Sequence, residues 1–326
     1  MGNWPFRHGV HDIGNGLYGY VQPDGTWGWS NAGLVTSRGQ TLLIDTLMSV
    51  PLTRDMLAEF AKVPGGDKVD LLVNTHANPD HFFGNGVVEG AEIVGTRAMA
   101  EEMSHFNPQA LANLSANYQN MGEAGEFLFE TMGRQFDFSG VDQLALPSRT
   151  FDEKLTLTVG DKTVELVDLG PAHTLSDTIA WVPDDKVVFT GDLLFNEGHP
   201  VLWAGPMSRW IAACRYIEDL QPDVVVPGHG PICDVQGVRN LRGYFEHLTD
   251  QARGRFEAGM PWREAARDIP LIEYAHWTDP ERVVANVYSL YKEWDPDLEV
   301  ATPPVLFAEM LHYRNECHHG GCNHAH

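Results

Sequence analysis

The chain has 326 residues, 43% of them hydrophobic and 21% charged, with a formal net charge of −23, a composition that excludes a disordered or fibrous protein. The acidic surplus, with no run of Lys or Arg, excludes a nucleic-acid partner and favours a neutral or cationic small-molecule substrate. No stretch approaches the roughly 18 consecutive apolar residues of a membrane span and Met1 to Arg7 holds no apolar leader core, so the expectation is no membrane partner and a cytoplasmic location, with Cys214, Cys233, Cys317 and Cys322 as thiols.

The chain begins with strand signals. Leu17 to Val21, the turn Pro23-Asp24-Gly25, Asn31 to Val35 and Thr41 to Asp45 read as antiparallel strands. Apolar residues at helical spacing predict a helix over Pro51 to Lys62, and the short apolar run Val69 to Val73 suits a strand covered on both faces. Ala91 to Gly95 is another strand, and residues 97–135 read as an inserted pair of helices. Residues 151–168 return to β character around the turn Gly160-Asp161-Lys162, and Thr178 to Phe189 forms a second hairpin. A helix over Trp210 to Leu220 leads into the strand Asp223 to Val226, and about 238–312 is mainly helical. Two β-rich halves interleaved with helices predict two stacked sheets between helical layers, in a single domain with a core over about 16–235.

The chemistry concentrates where strands end. Thr75-His76-Ala77-Asn78-Pro79-Asp80-His81 follows a buried-type strand, so its side chains sit on a loop at that strand's C-terminal end. Pro79 pushes the residue before it into an extended conformation, and Asp80 then suits a helix N-cap, which presents Asp80 and His81 rigidly. Imidazole and carboxylate together suit zinc, whose borderline softness accepts nitrogen and oxygen ligands. The pattern repeats in Val167 to His173, Val188 to Asp192 and Val225 to Gly230, so that four strand ends converge on one rim.

The order His-x-x-x-Asp-His, a lone His, Gly-Asp and Gly-His-Gly resembles the metallo-β-lactamase superfamily over roughly residues 16–235. The resemblance implies an α/β (α+β) fold, the αββα sandwich. It also implies one metal site at His76, position 78 and His173, another at Asp80, His81 and His229, Asp192 as the bridge, and Asp45 as a support behind the ligand loop. The sequence departs from that pattern at Asn78, where the family usually has histidine. An amide oxygen is a far weaker zinc ligand than imidazole. The expectation is therefore one zinc at Asp80, His81, Asp192 and His229, with the second position a separate question.

One zinc suffices to bring the pKa of a bound water toward about 7. Asp80 is the candidate to orient that water, and His76 or His173 to donate a hydrogen bond or shuttle a proton. Trp27, Trp29, Phe82, Phe83, Phe195 and Trp203, with Asn78, are candidates to line a substrate pocket. The leading expectation is a zinc hydrolase of a small, fairly apolar ester, lactone, amide or activated aryl halide. Two other classes remain: an iron-dependent oxygenase of the same fold, such as the persulfide dioxygenases, and a metal-binding protein without turnover. A homodimer is compatible with the sequence. The Cys/His-rich tail over 313–326 is either a further metal site or a frayed end.

Overall fold

In a computed structural model, which describes residues 4–141 and 143–318, the alternating runs become two sheets. The first takes seven strands side by side in chain order: β1 (Gly9–Gly14), β2 (Leu17–Val21), β3 (Ala32–Ser37), β4 (Gln40–Ile44), β5 (Leu71–Val73), β6 (Glu92–Thr96) and β7 (Arg149–Phe151). The strands β1 to β4 are antiparallel, whereas β4 to β7 are parallel. The switch follows from the connections, since parallel neighbours need a crossover and α1 (Val50–Phe60) supplies the first. Ser49 caps that helix by accepting from the Leu52 amide, and its Met56 and Phe60 pack on the outer face of the sheet against Leu43 and Leu72.

Between β5 and β7 lie the single turn α2 (Pro79–Phe82) and the insertion. The insertion is not the pair of helices expected over 97–135 but three short ones, α3 (Arg97–Ser104), α4 (Gln109–Asn117) and α5 (Gly122–Leu128), followed by a π turn over Phe129–Gly133. Pro108 and Gly122 break the periodic stretch: Pro108 stands immediately before α4, and Gly122 turns at φ +63° as α5 begins.

The second sheet runs β12-β11-β10-β9-β8, from β8 (Lys154–Val159), β9 (Lys162–Asp168), β10 (Thr178–Val182), β11 (Val187–Phe195) and β12 (Val224–His229). The helix α6 (Met207–Asp219) crosses between β11 and β12, which pair in parallel. The expected hairpins are present, but Arg149–Phe151, just before and overlapping the first of them, pairs with β6 in the other sheet.

The inner faces meet in one apolar layer in which Leu17, Val35, Ile44 and Val73 face Leu157, Leu166, Val182 and Phe189. Each such buried side chain contributes roughly 1.5–3 kcal/mol relative to exposure. Outside the second sheet, α6 and α7 (Val235–Glu257), α8 (Trp262–Asp268), α9 (Val283–Trp294) and α10 (Pro303–His318) close a further core around Trp210, Phe245 and Leu290. The result is the αββα sandwich.

The helical C-terminal region thus extends from Val235 to His318, beyond the expected bounds of 238 and 312. Residues 313–318 are not tail but the end of α10, anchored by buried Met310 and Tyr313; the remainder of the expected tail, 319–326, lies outside the described residues. Among the described residues no helix is long and apolar enough to cross a membrane.

Candidate metal centre and its cavity

The two sheets bring four segments to one end of the sandwich. His76, Asn78, Asp80 and His81 follow β5, His173 follows β9, Asp192 lies within β11, and His229 ends β12. Asp192 is therefore inside a strand rather than beyond its end. The strand turns there: pairing with β12 is irregular on both sides of Gly191, whose φ is +51°. A side chain at 191 would collide with Thr75 Oγ1, and one at Gly228 with Asp192 Oδ1, so both glycines allow backbone to close around the carboxylate.

Asp192 is the centre of the cluster. Its carboxylate oxygens lie 3.0 Å from His81 Nε2, 3.3 Å from His173 Nε2, 3.4 Å from His229 Nε2 and 3.6 Å from His76 Nε2. Asp80 Oδ2 lies 3.2 Å from His229 Nε2 and 3.8 Å from His81 Nε2. All six side chains are buried.

The reason every Nε2 points inward is that every Nδ1 is held from behind. His81 Nδ1 pairs with Asp45 Oδ2 at 2.9 Å, His229 Nδ1 donates to the Gly25 carbonyl at 3.1 Å, and His173 Nδ1 donates to the Val201 carbonyl at 2.6 Å. His76 Nδ1 meets Thr75 Oγ1 at 2.9 Å, and that hydroxyl donates to Asp45 Oδ2 at 2.7 Å. Asp45 thus orients two rings, one directly and one through a hydroxyl, in the manner of the outer partners of metal-bound histidines.

The charge environment divides the four rings. Burial lowers a histidine pKa, but Asp192 and Asp80 outweigh it at His229, raising it to about 9, and with Asp45 they carry His81 well above its ordinary value. At His173 burial prevails and lowers the ring to about 4; His76 is also held well below its usual value, by burial and by the neighbouring His81. Burial would raise Asp80, yet His81 and His229 bring it down to about 2.

A cation fits this arrangement. His76 Nε2 is buried with no hydrogen-bond partner, and His81 Nε2 and Asp192 Oδ1 face each other at 3.0 Å without hydrogen-bond geometry, a costly state for buried polar atoms unless something else satisfies them. Ligand atoms of His76, His81 and Asp192 lie within 4.8 Å of one another, as do those of Asp80, His81 and His229. The donor set is borderline nitrogen with hard oxygen, suited to a divalent metal. Asn78 contributes differently. Because the Val201 carbonyl only accepts, the proton of neutral His173 sits on Nδ1, and its Nε2 accepts from Asn78 Nδ2 at 2.8 Å. In this arrangement His173 Nε2 is engaged by Asn78 rather than pointing free into the cavity.

Above the cluster opens a cavity of about 450 Å³. Of the expected pocket residues, Trp27, Asn78, Phe195 and Trp203 line it. Trp29, Phe82 and Phe83 do not. Trp29 packs on Phe136 and hydrogen-bonds Gln135, while Phe82 and Phe83 join Met99 and Met103 in a small core beneath the insertion. Alternation along a loop carries no information about which side faces a cavity, so proximity to the ligands misled. The sequence reading missed Arg282, Phe307 and the insertion residues Glu102, Leu128 and Met132. These come from helices remote in sequence, and no local signal marks them.

Comparisons with known proteins agree with this fold. Among curated proteins, the linear primary-alkylsulfatase of Pseudomonas sp. (strain ATCC 19151) is 25% identical over 302 residues, 82% of this chain; the chain spans 57% of that protein's length. The Caenorhabditis elegans beta-lactamase-like protein 2 homolog is 28% identical over 102 residues, 31% of this chain and 33% of its own. Among solved structures, a stereoselective inverting sec-alkylsulfatase from Pseudomonas sp. superposes with a TM-score of 0.64 at 16% identity, covering 90% of this chain and 52% of that one. A metallo-beta-lactamase from Pontibacter korlensis gives 0.55 at 20% identity, over 74% of this chain and 99% of that one. The profile of the metallo-beta-lactamase superfamily matches residues 25–229, which include Asp45, the four ligand-bearing segments and most of both sheets. This chain belongs to the metallo-beta-lactamase superfamily.

Proposed function

We propose that the protein is a metal-dependent hydrolase of a small, largely apolar substrate, with one zinc ion held by Asp80, His81, Asp192 and His229. The observation that carries this reading is that Asp80, His81 and His229 bring their ligand atoms within 4.8 Å of one another, with Asp192 beside both rings, beneath a mainly apolar cavity that Asp80, Asp192 and His229 line. When bound, such an ion supplies Lewis acidity and a water whose pKa lies near about 7.

The chain's own residues do the rest. Asp80, ionised throughout the neutral range, accepts a hydrogen bond from the attacking water and so orients it. Asn78 uses one amide hydrogen on His173 and keeps the other for a substrate oxygen or leaving group. Trp27, Phe195 and Trp203 present flat apolar surface at the cavity, which suits an aryl ester, lactone, amide or activated aryl halide and excludes bulk water from the reacting carbon. A second reading, hydrolysis of alkyl sulfate esters, is favoured by the alignment with the alkylsulfatase over most of this chain.

The test is a panel of aryl esters, lactones, anilides, haloarenes and alkyl sulfates assayed before and after removal of metal. Turnover of one class, lost on stripping the metal and restored by zinc, is the expected result. Undiminished turnover by metal-free protein overturns the proposal. Full metal loading with no turnover across the panel replaces it with a non-catalytic metal-binding role, and iron with oxygen uptake replaces it with an oxygenase.

A further inference from the structure

The indole of Trp27 reaches out of the family-matched region into the C-terminal helices. Its Nε1 donates to Glu281 Oε1 at 2.9 Å, and the same carboxylate pairs with Arg314 on α10. The Arg282 guanidinium carbon lies 4.2 Å from the centre of the Trp27 ring, and Phe307 on α10 meets that ring edge to face. Arg282 is in turn fixed by Asp279 at 3.0 Å and by the His199 carbonyl at 3.0 Å. Glu281 and Arg282 are each only 2% exposed. A carboxylate so deeply buried is costly unless paired, and apolar packing would hold an indole without it. A hydrogen-bond acceptor at this point fixes one orientation of the ring instead of several.

The other end of the same loop is joined to the ligands. Gly25 accepts from His229 Nδ1, Ser30 Oγ donates to the Asp80 carbonyl at 2.6 Å, and Asn31 Nδ2 donates to the Pro227 and Gly230 carbonyls on either side of His229. Residues 25–31 therefore bridge the metal cluster and the C-terminal helices, and Trp27 is where the bridge meets the cavity.

We infer that Glu281 is a positioning residue which, with Arg282 and Arg314, latches Trp27 as a fixed wall of the cavity and so makes residues beyond the family-matched region select for flat apolar substrates. The inference rests on the hydrolase reading for its substrate, but the latch itself is observable without turnover. The experiment labels the protein with 5-fluorotryptophan, assigns the Trp27 resonance with Trp27→Phe, and compares Glu281→Leu with Glu281→Gln. Loss of a buried hydrogen bond to a charged acceptor corresponds to about tenfold in binding. In Glu281→Leu the Trp27 resonance is expected to shift or broaden, and KM for a flat substrate to rise about tenfold with a smaller change in kcat and unchanged metal content. Glu281→Gln, which keeps the acceptor, is expected to restore both. Wild-type resonance and wild-type KM in Glu281→Leu overturn the inference, as does equal damage in Glu281→Gln. Should Glu281→Leu not fold, Trp27→Phe removes the indole N–H while leaving the Glu281–Arg314 pair, and an unchanged KM there overturns the inference equally. If no substrate is found, the fluorine spectrum still decides the latch while the hydrolase reading alone fails.

Discussion

The two halves of the ligand cluster are built from the same residue types and behave in opposite ways. His81 and His229 face the carboxylates of Asp80 and Asp192 and are raised, His229 to about 9. Among the described residues the one carboxylate paired with His76 and His173 is the shared Asp192, and burial leads in depressing both, His173 to about 4, where the Asn78 amide also satisfies its free nitrogen. Four similarly buried rings thus divide by the charge beside them, and a single amide in place of an imidazole fits that division. The proposed assignment puts a divalent cation where two carboxylates and two rings meet, in the Asp80 half.

The comparison breaks most severely if Asp192 is removed, because that carboxylate serves both halves. Replacing a residue that only orients a metal ligand costs about 10- to 100-fold in metal affinity, and Asp192→Asn is expected to exceed that. Metal analysis of the purified variant is expected to find the site nearly empty and turnover lost; wild-type metal content would show that the centre lies elsewhere.

The pH response sharpens the contrast. In metal-free protein the proton on His229 is paired with Asp80 and Asp192, so its contribution to stability is full below the unfolded pKa of about 6.5. That contribution is lost as pH rises through about 9. A metal takes the ring without that proton, so each proton displaced makes metal affinity rise about tenfold per pH unit over the same window. Melting curves of metal-free and zinc-loaded protein from pH 6.5 to 9 are expected to diverge, the first falling while the gain on loading grows. A constant gain across that range would contradict the assignment of His229.

The gentlest change is Asn78→His. It restores a ring beside His173 and is expected to raise the zinc content from about one toward two per chain while leaving the fold intact. A count near two in both forms would erase the proposed asymmetry between the halves.

Much of this was legible in the sequence because it is local. Strand alternation around Leu17, Leu157 and Leu166 follows from a period of two, Pro79 marks the loop after β5, and Gly191 and Gly228 mark where the backbone bends within β11 and β12. The order of ligand types along the chain marks the cluster by itself. The insertion was less legible, since its periodicity continued through the breaks at Pro108 and Gly122. The edge strands β1 and β7 carry too few apolar residues to announce themselves.

What the amino-acid order determines is therefore the scaffold, the ligand set and the anomaly at position 78, all properties of residues and their immediate neighbours. Only the tertiary structure decides that Trp27 faces the cavity while Trp29, two residues away, packs on Phe136, and that Arg282 and Phe307 line the wall, with Glu281 hydrogen-bonded to Trp27, a residue more than 200 positions earlier in the chain. The physical reason is that a cavity wall is set by which surfaces remain uncovered once every element has docked, a sum over long-range packing to which no local pattern is tied.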